Sequence, residues 1–201
     1  MKYLVLSDSH GNVDNMVRAV ELVKPHGIIH LGDGWRDVEE LRQLYPRLPL
    51  EQVPGNCDFG RFEALERVLI LDDHRVLIAH GHTLGVKTGL LRAQYRALEM
   101  NADILLFGHT HVPLVDAASR PMMMNPGSIG DPRRPTYGVL EFRDGQIYPS
   151  VFRLDASQKE MYHAVHLFFH FLTRSNLAPV RSANYTKRPR PRRFWRRGGI
   201  S

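Results

Sequence analysis

Lys2-Tyr3-Leu4-Val5-Leu6 runs directly into Ser7-Asp8-Ser9-His10-Gly11. An apolar stretch rich in strand formers stops at a polar loop that carries a carboxylate and an imidazole. The period then changes. Val13, Met16, Val17, Val20 and Val23 recur at the spacing of one helix face, and Pro25 and Gly27 end the pattern. Ile28-Ile29-His30-Leu31 is a second buried-type strand. Val38, Leu41 and Tyr45 mark a short helix before Pro46, and Leu50–Val53 reads as a third strand. This alternation predicts parallel strands joined by helical crossovers.

Further along, Val68–Leu71 and Arg75–Ala79 flank Asp72-Asp73-His74 as a hairpin. Leu91, Tyr95 and Leu98 place a helix over residues 88–100, and Ile104–Phe107 is fully apolar. Short strands are expected near 112–116, 121–124, 136–142 and 146–153. The short turns between them predict antiparallel pairing. Residues 1–155 thus form one mixed α/β domain.

Hydrophobic residues make up 43% of the 201-residue chain and charged residues 24%, enough for an ordinary core. Cys57 is the single cysteine, which excludes a disulfide-built scaffold and points to a reducing compartment. The apolar start is too short for a signal peptide, and no run reaches the ~20 apolar residues of a membrane span, so the expected location is the cytoplasm. The net charge of +6 averages two unlike parts. Residues 1–155 hold 17 Lys+Arg against 20 Asp+Glu, whereas 156–201 hold 10 against 1. The basic character belongs to the C-terminal segment.

Each of the main apolar strands is followed by metal-capable side chains. Leu4–Leu6 leads to Asp8 and His10, Ile28–Leu31 to Asp33, and Leu50–Val53 to Asn56. Val76–Ala79 leads to His80 and His82, and Ile104–Phe107 to His109 and His111. Parallel strands put their carboxyl ends on one edge of a sheet, where ligands bind. Imidazole and carboxylate together suit Zn, Mn, Fe or Ni. Asp8, His10, Asp33, Asn56, His80, His109 and His111 exceed the needs of one ion and suit two, with one carboxylate bridging. The charge balance leaves a positive site that would attract phosphate. Two ions about 3.5–4 Å apart yield a bridging hydroxide near neutral pH. No serine-nucleophile elbow or Gly-Lys-Ser/Thr phosphate loop is present.

Taken singly, each signal has a plainer reading. Asp8 could cap the helix after Gly11, and His10 could lie on the surface. Asp33 and Asn56 could be turn residues, and Cys57 a small buried apolar residue. Asp58 could cap a helix starting near Arg61. It is their joint occurrence after predicted strands that favours one shared metal site.

In this order, Asp8-x-His10, Gly32-Asp33, Gly55-Asn56-Cys57-Asp58, His80-Gly81-His82 and Gly108-His109-Thr110-His111 resemble the calcineurin-like metallophosphoesterases, closest to the small bacterial and archaeal phosphodiesterase branch. Asn125-Pro126-Gly127-Ser128 also matches that branch. The resemblance covers residues 1–154. It implies a four-layer αββα sandwich of two mixed sheets flanked by helices. It further implies one metal held by Asp8, His10 and His111, a second held by Asn56, His80 and His109, and Asp33 bridging. The implied activity is hydrolysis of small phosphodiesters with Mn, Ni, Fe or Zn. Larger members carry histidine after the asparagine, where this chain has Cys57. A site lacking that acid should favour leaving groups of low pKa, and His82 is the candidate substitute. Asn125–Arg134 reads first as a strand-ending turn. Its functional reading is a loop lining the cleft, with Asn56 and Ser128 contacting phosphate and Arg133 or Arg134 adding charge.

The segment 156–201 is expected to be a basic, disordered extension, since the resembling family normally stops near residue 155. Nucleic-acid binding through it, nuclease activity, or contact with an anionic membrane surface are the alternatives. A catalytically silent scaffold of the same fold is the other competing function, and the full set of seven metal-capable residues argues against it. A homo-oligomer is compatible with the sequence.

Overall fold

The computed structural model describes residues 1–155, so the basic segment and the expectations placed on it lie outside the described residues. The elements are, in order, β1 (Lys2–Leu6), α1 (Val13–Val23), β2 (Gly27–His30), α2 (Trp35–Leu44), β3 (Leu50–Gln52), β4 (Glu66–Leu71), β5 (His74–Ala79), α3 (Leu91–Glu99), β6 (Ile104–Phe107), β7 (Leu114–Asp116), β8 (Met122–Asn125), β9 (Thr136–Arg143) and β10 (Gln146–Arg153). They build two five-stranded sheets, ordered β10-β9-β1-β2-β3 and β4-β5-β6-β8-β7.

Alternation along the strands divides the apolar side chains among three layers of core. Leu4 and Leu6 pack against Met16, Ala19 and Val20 of α1 and Val38 and Leu41 of α2. Val5, between them, points the other way, to Val76 and Ile78 of β5 and Ile104 and Leu106 of β6. Leu77, Ala79, Leu105 and Phe107 meet Ala93 and Ala97 of α3. Two helices, two sheets and a third helix therefore stack as four layers. The central strands are buried on both faces, which is why they read as continuous apolar runs.

The parallel β1–β2–β3 set matches the sequence expectation. Antiparallel pairing in the second half holds for β4–β5, β7–β8 and β9–β10. β5–β6 and β6–β8, which no short turn joins, are parallel. The helix α3 carries the chain from β5 across to β6. The short edge strand β7 lets the chain reverse into β8, which then runs alongside β6. The expected helix near Arg61 does not form; that stretch is turn and bend.

Candidate metal centre

The site is built where strands end level. Leu6 of β1 pairs with His30 of β2, and Ala79 of β5 pairs with Phe107 of β6. The loops beyond are zipped together by backbone hydrogen bonds. Asp8 N–H donates to Gly32 O (3.0 Å), His10 N–H to Asp33 O (3.2 Å) and Gly108 N–H to His80 O (3.0 Å). The His109 amide donates to Asp8 Oδ2 at 3.1 Å, which joins the two sheets at the site.

Candidate ligand atoms fall into groups. Those of Asp8, His10 and His111 lie within 4.8 Å of one another, as do those of Asp33, His80 and His109. Asp33 also groups with His10 and Cys57, so it stands in both neighbourhoods. Asn56 joins the second, its Oδ1 3.1 Å from His80 Nε2.

Asp8 is fully buried. Its Oδ2 accepts from Ser7 Oγ (2.5 Å) and from the His109 amide. Its Oδ1 has no hydrogen-bond partner. Around that oxygen lie the Nε2 atoms of His111 (3.1 Å), His10 (4.0 Å) and His80 (4.0 Å). A buried carboxylate oxygen left without a donor is strongly destabilising. One facing several imidazole nitrogens is completed by a cation, and oxygen plus imidazole is a donor set for a divalent transition ion.

His80 is also buried, with Nδ1 2.7 Å from the carbonyl oxygen of Leu31. A carbonyl only accepts, so Nδ1 carries a proton and Nε2 faces the site. Burial alone would lower the His80 pKa. The hydrogen bond to Asp33 and the charges of Asp8 and Asp33 outweigh it and raise the pKa. The proton thus drawn to Nε2 is the one a metal ion would displace. Burial likewise works to raise the Asp33 carboxyl, but hydrogen bonds from His80 and the Cys57 amide hold it well below the usual range. His109 and His82 are lowered by desolvation and by the neighbouring His80, which favours neutral imidazoles.

Five of these residues have left-handed backbones: Asp8, His10, Asp33, His109 and His111, at φ of 54°, 46°, 58°, 68° and 58°. Non-glycine residues seldom adopt this region, at ~1–3 kcal/mol each, and such residues cluster at working sites. Packing holds them there. A Cβ on Gly34 would strike Ser9 Oγ, and one on Gly108 would strike Ser7 Oγ.

A buried polar layer supports the loops from behind. The Gly32 amide donates to His30 Nδ1 (3.2 Å), which leaves the ring proton on Nε2, 3.2 Å from Ser9 Oγ. Ser9 Oγ in turn donates to Asp37 Oδ2 (2.6 Å), which also accepts from the Gly11 amide (2.8 Å). Burial pushes the His30 pKa down to about 4, so this ring is neutral.

The sequence model of the calcineurin-like phosphoesterase superfamily domain matches residues 1–145. The chain belongs to this superfamily. It is 37% identical over 139 residues to the "Probable metallophosphoesterase YsnB" of Bacillus subtilis, covering 66% of this chain and 78% of that protein. It is 28% identical over 170 residues to "Phosphodiesterase YfcE" of Escherichia coli K12, covering 70% and 88%. A crystal structure of a conserved Streptococcus pneumoniae protein, described as a predicted phosphoesterase, superposes with a TM-score of 0.64 at 28% identity, covering 78% of this chain and 91% of that one.

Several residues of this calcineurin-like phosphoesterase sit differently from their plainer sequence readings. Asn12, not Asp8, caps α1, its side chain accepting from the Asn15 amide. Cys57 is exposed rather than buried. Partial desolvation and the Asp33 carboxylate raise its thiol pKa. Asp58 caps α2 rather than a helix near Arg61, taking the amides of Asp33, Gly34 and Trp35. Ser128 is buried and its hydroxyl donates to the Asp8 carbonyl (2.8 Å), so it buttresses the β1 loop rather than facing the cleft. Arg133 is exposed, and the amides of Arg133 and Arg134 donate to Asp131. His82 packs 5.4 Å from the His80 ring and 6.1 Å from His109, its Nδ1 buried and without a hydrogen-bond partner. Sequence reasoning gave no role to Ser7, Ser9, His30 or Asp37, nor to Asn125, whose amide donates to the Gly108 carbonyl (2.9 Å). A histidine inside the apolar run Ile28–Leu31 was the available signal. No helix among the described residues is long and apolar enough to cross a membrane.

Proposed function

We propose that this metallophosphoesterase hydrolyses small phosphodiesters. The observation that carries the reading is the unpartnered, buried Oδ1 of Asp8 among the imidazoles of His10, His80 and His111. Asp8, His10 and His111 would hold one divalent ion, Asn56, His80 and His109 a second, and Asp33 both. The ions would be drawn from Mn, Ni, Fe and Zn. When bound, such a pair of ions supplies a hydroxide nucleophile near neutral pH and offsets charge on the phosphoryl oxygens.

The chain's own residues do the rest. His80 is oriented by Leu31, and Asp33 is kept ionised and ready to bridge. The Asn56 amide reaches the phosphate, and Arg133 adds positive charge at the rim. His82 would hand a proton to the departing alcohol when its ring is charged, a role its lowered pKa confines to acidic pH. The sequence likeness to proteins named as a metallophosphoesterase and a phosphodiesterase weighs against the silent reading.

Metal analysis of the purified chain, combined with an assay on a panel of aryl phosphodiesters, tests the proposal. Asp33→Asn should remain folded by circular dichroism yet lose about a hundredfold or more in turnover. Wild-type rates from that variant, or a wild-type chain inactive on every diester with each of the four metals, would overturn it.

A further inference from the structure

A cleft of about 410 Å³ opens beside the metal centre. Its lining includes His10, Asp33 and Cys57 together with Trp35, Phe59 and Arg61. Trp35 begins α2 and is only 9% exposed, so its ring is fixed by packing. The Arg61 guanidinium lies over that ring, 5.0 Å from its centroid. A guanidinium at this distance is attracted to the indole face, and guanidinium planes also stack on other planar groups. Phe59 lines the same cleft with 88% of its surface exposed. Gly60, at φ +73°, turns the backbone between the two.

The remaining lining argues for a neutral occupant. Asp37 and Asp58 border the cleft beside Arg36 and Arg61, so the charges of its lining offset one another. A planar aromatic ring needs no net charge, and both Phe59 and Arg61 offer it a flat surface. We infer that this cleft holds one ester substituent of the substrate, and that the substituent is a planar aromatic group stacked by Phe59 and Arg61. The inference rests on the phosphodiesterase reading of the adjacent centre. It assigns Phe59, Arg61 and Trp35 to substrate selection, with Trp35 as the platform that positions Arg61.

Isothermal titration calorimetry of the full, Mn-loaded chain with methyl phosphate, phenyl phosphate and adenosine 5′-monophosphate tests it. The two aromatic ligands should bind about tenfold tighter than methyl phosphate. In the Phe59→Ala/Arg61→Ala double variant the ratio of dissociation constants should fall to about one. Both side chains are at the surface, and circular dichroism checks that the variant is folded. The order of phenyl phosphate and adenosine monophosphate tells a simple aryl group from a nucleobase. Equal affinities for all three ligands, no measurable binding of any, or a preference that survives the double substitution would overturn the assignment. Absent diester hydrolysis with the aromatic preference intact would remove the parent activity and leave the cleft. Hydrolysis without the preference would do the reverse.

Discussion

The Oδ1 of Asp58 lies 2.8 Å from the amide nitrogen of Trp35, at the first turn of a helix that begins 23 residues earlier in the chain. The same carboxylate takes the amides of Gly34 (3.1 Å), Asp33 (2.8 Å) and Gly55 (2.8 Å). A negative charge there is favoured by the helix dipole, and it ties the loop carrying Asp33 to the loop carrying Asn56.

Replacing Asp58 with alanine leaves these amides without their acceptor. Stability should fall by about 2 kcal/mol, the upper range for a lost helix cap. Manganese affinity should fall by about tenfold or more, because Asp33 and Asn56 lose their common anchor. Urea unfolding and competitive metal titration measure the two effects. An unchanged affinity would separate the cap from the site.

His30 gives a pH dependence of definite sign. Its folded pKa is about 4, below the ordinary histidine value of 6.5. The unfolded chain therefore binds more protons between those values, and stability rises with pH across that window. The contribution is fully present above pH 6.5 and is lost as pH falls toward 4. Its size is on the order of 3 kcal/mol. Denaturation of the metal-free protein at a series of pH values, beside His30→Gln, isolates it. The difference between the two curves should shrink on acidification.

Gly108 is a steric requirement. An added Cβ would meet Ser7 Oγ and come within 2.8 Å of Asp8 Oδ2. Gly108→Ala should displace Asp8 and lower both stability, by about 1–3 kcal/mol, and metal uptake. Thermal unfolding with and without manganese reads both. A variant that keeps the wild-type shift on metal addition would show that the loop yields elsewhere.

His82→Ala tests the proton donor. Alkyl alcohols leave poorly without protonation, whereas aryl alcohols of low pKa need little help. Assayed on the acid side of the ordinary histidine value, the variant should lose about a hundredfold on alkyl diesters and much less on aryl diesters. Equal losses on both series would end the role.

How far the sequence reaches is clear from particular residues. The two-faced burial of β1, β2, β5 and β6 was legible because their apolar runs are unbroken, save for His30 in β2, and each polar loop follows at once. Parallel pairing of β6 with β8 was not legible, because short strands with turns between them look alike whichever way the chain passes. Asp8 and His80 could be picked out by type and place. The Asp58 cap could not, because its partners lie across a loop in another element, and a sequence pattern records neighbours in the chain. Ser128 illustrates the same limit, since a serine in a glycine turn carries no mark of the backbone carbonyl it will meet.

The left-handed twist at Asp8, His10, Asp33, His109 and His111 is imposed by surrounding strands and loops. A spring cocked by its frame slackens when the frame softens. Side chains as remote from the cleft as Ile104 or Leu106 in the layer between the sheets thereby gain a hold over turnover. Trimming them should let the cocked segments unwind, and the enzyme would fade while still folded.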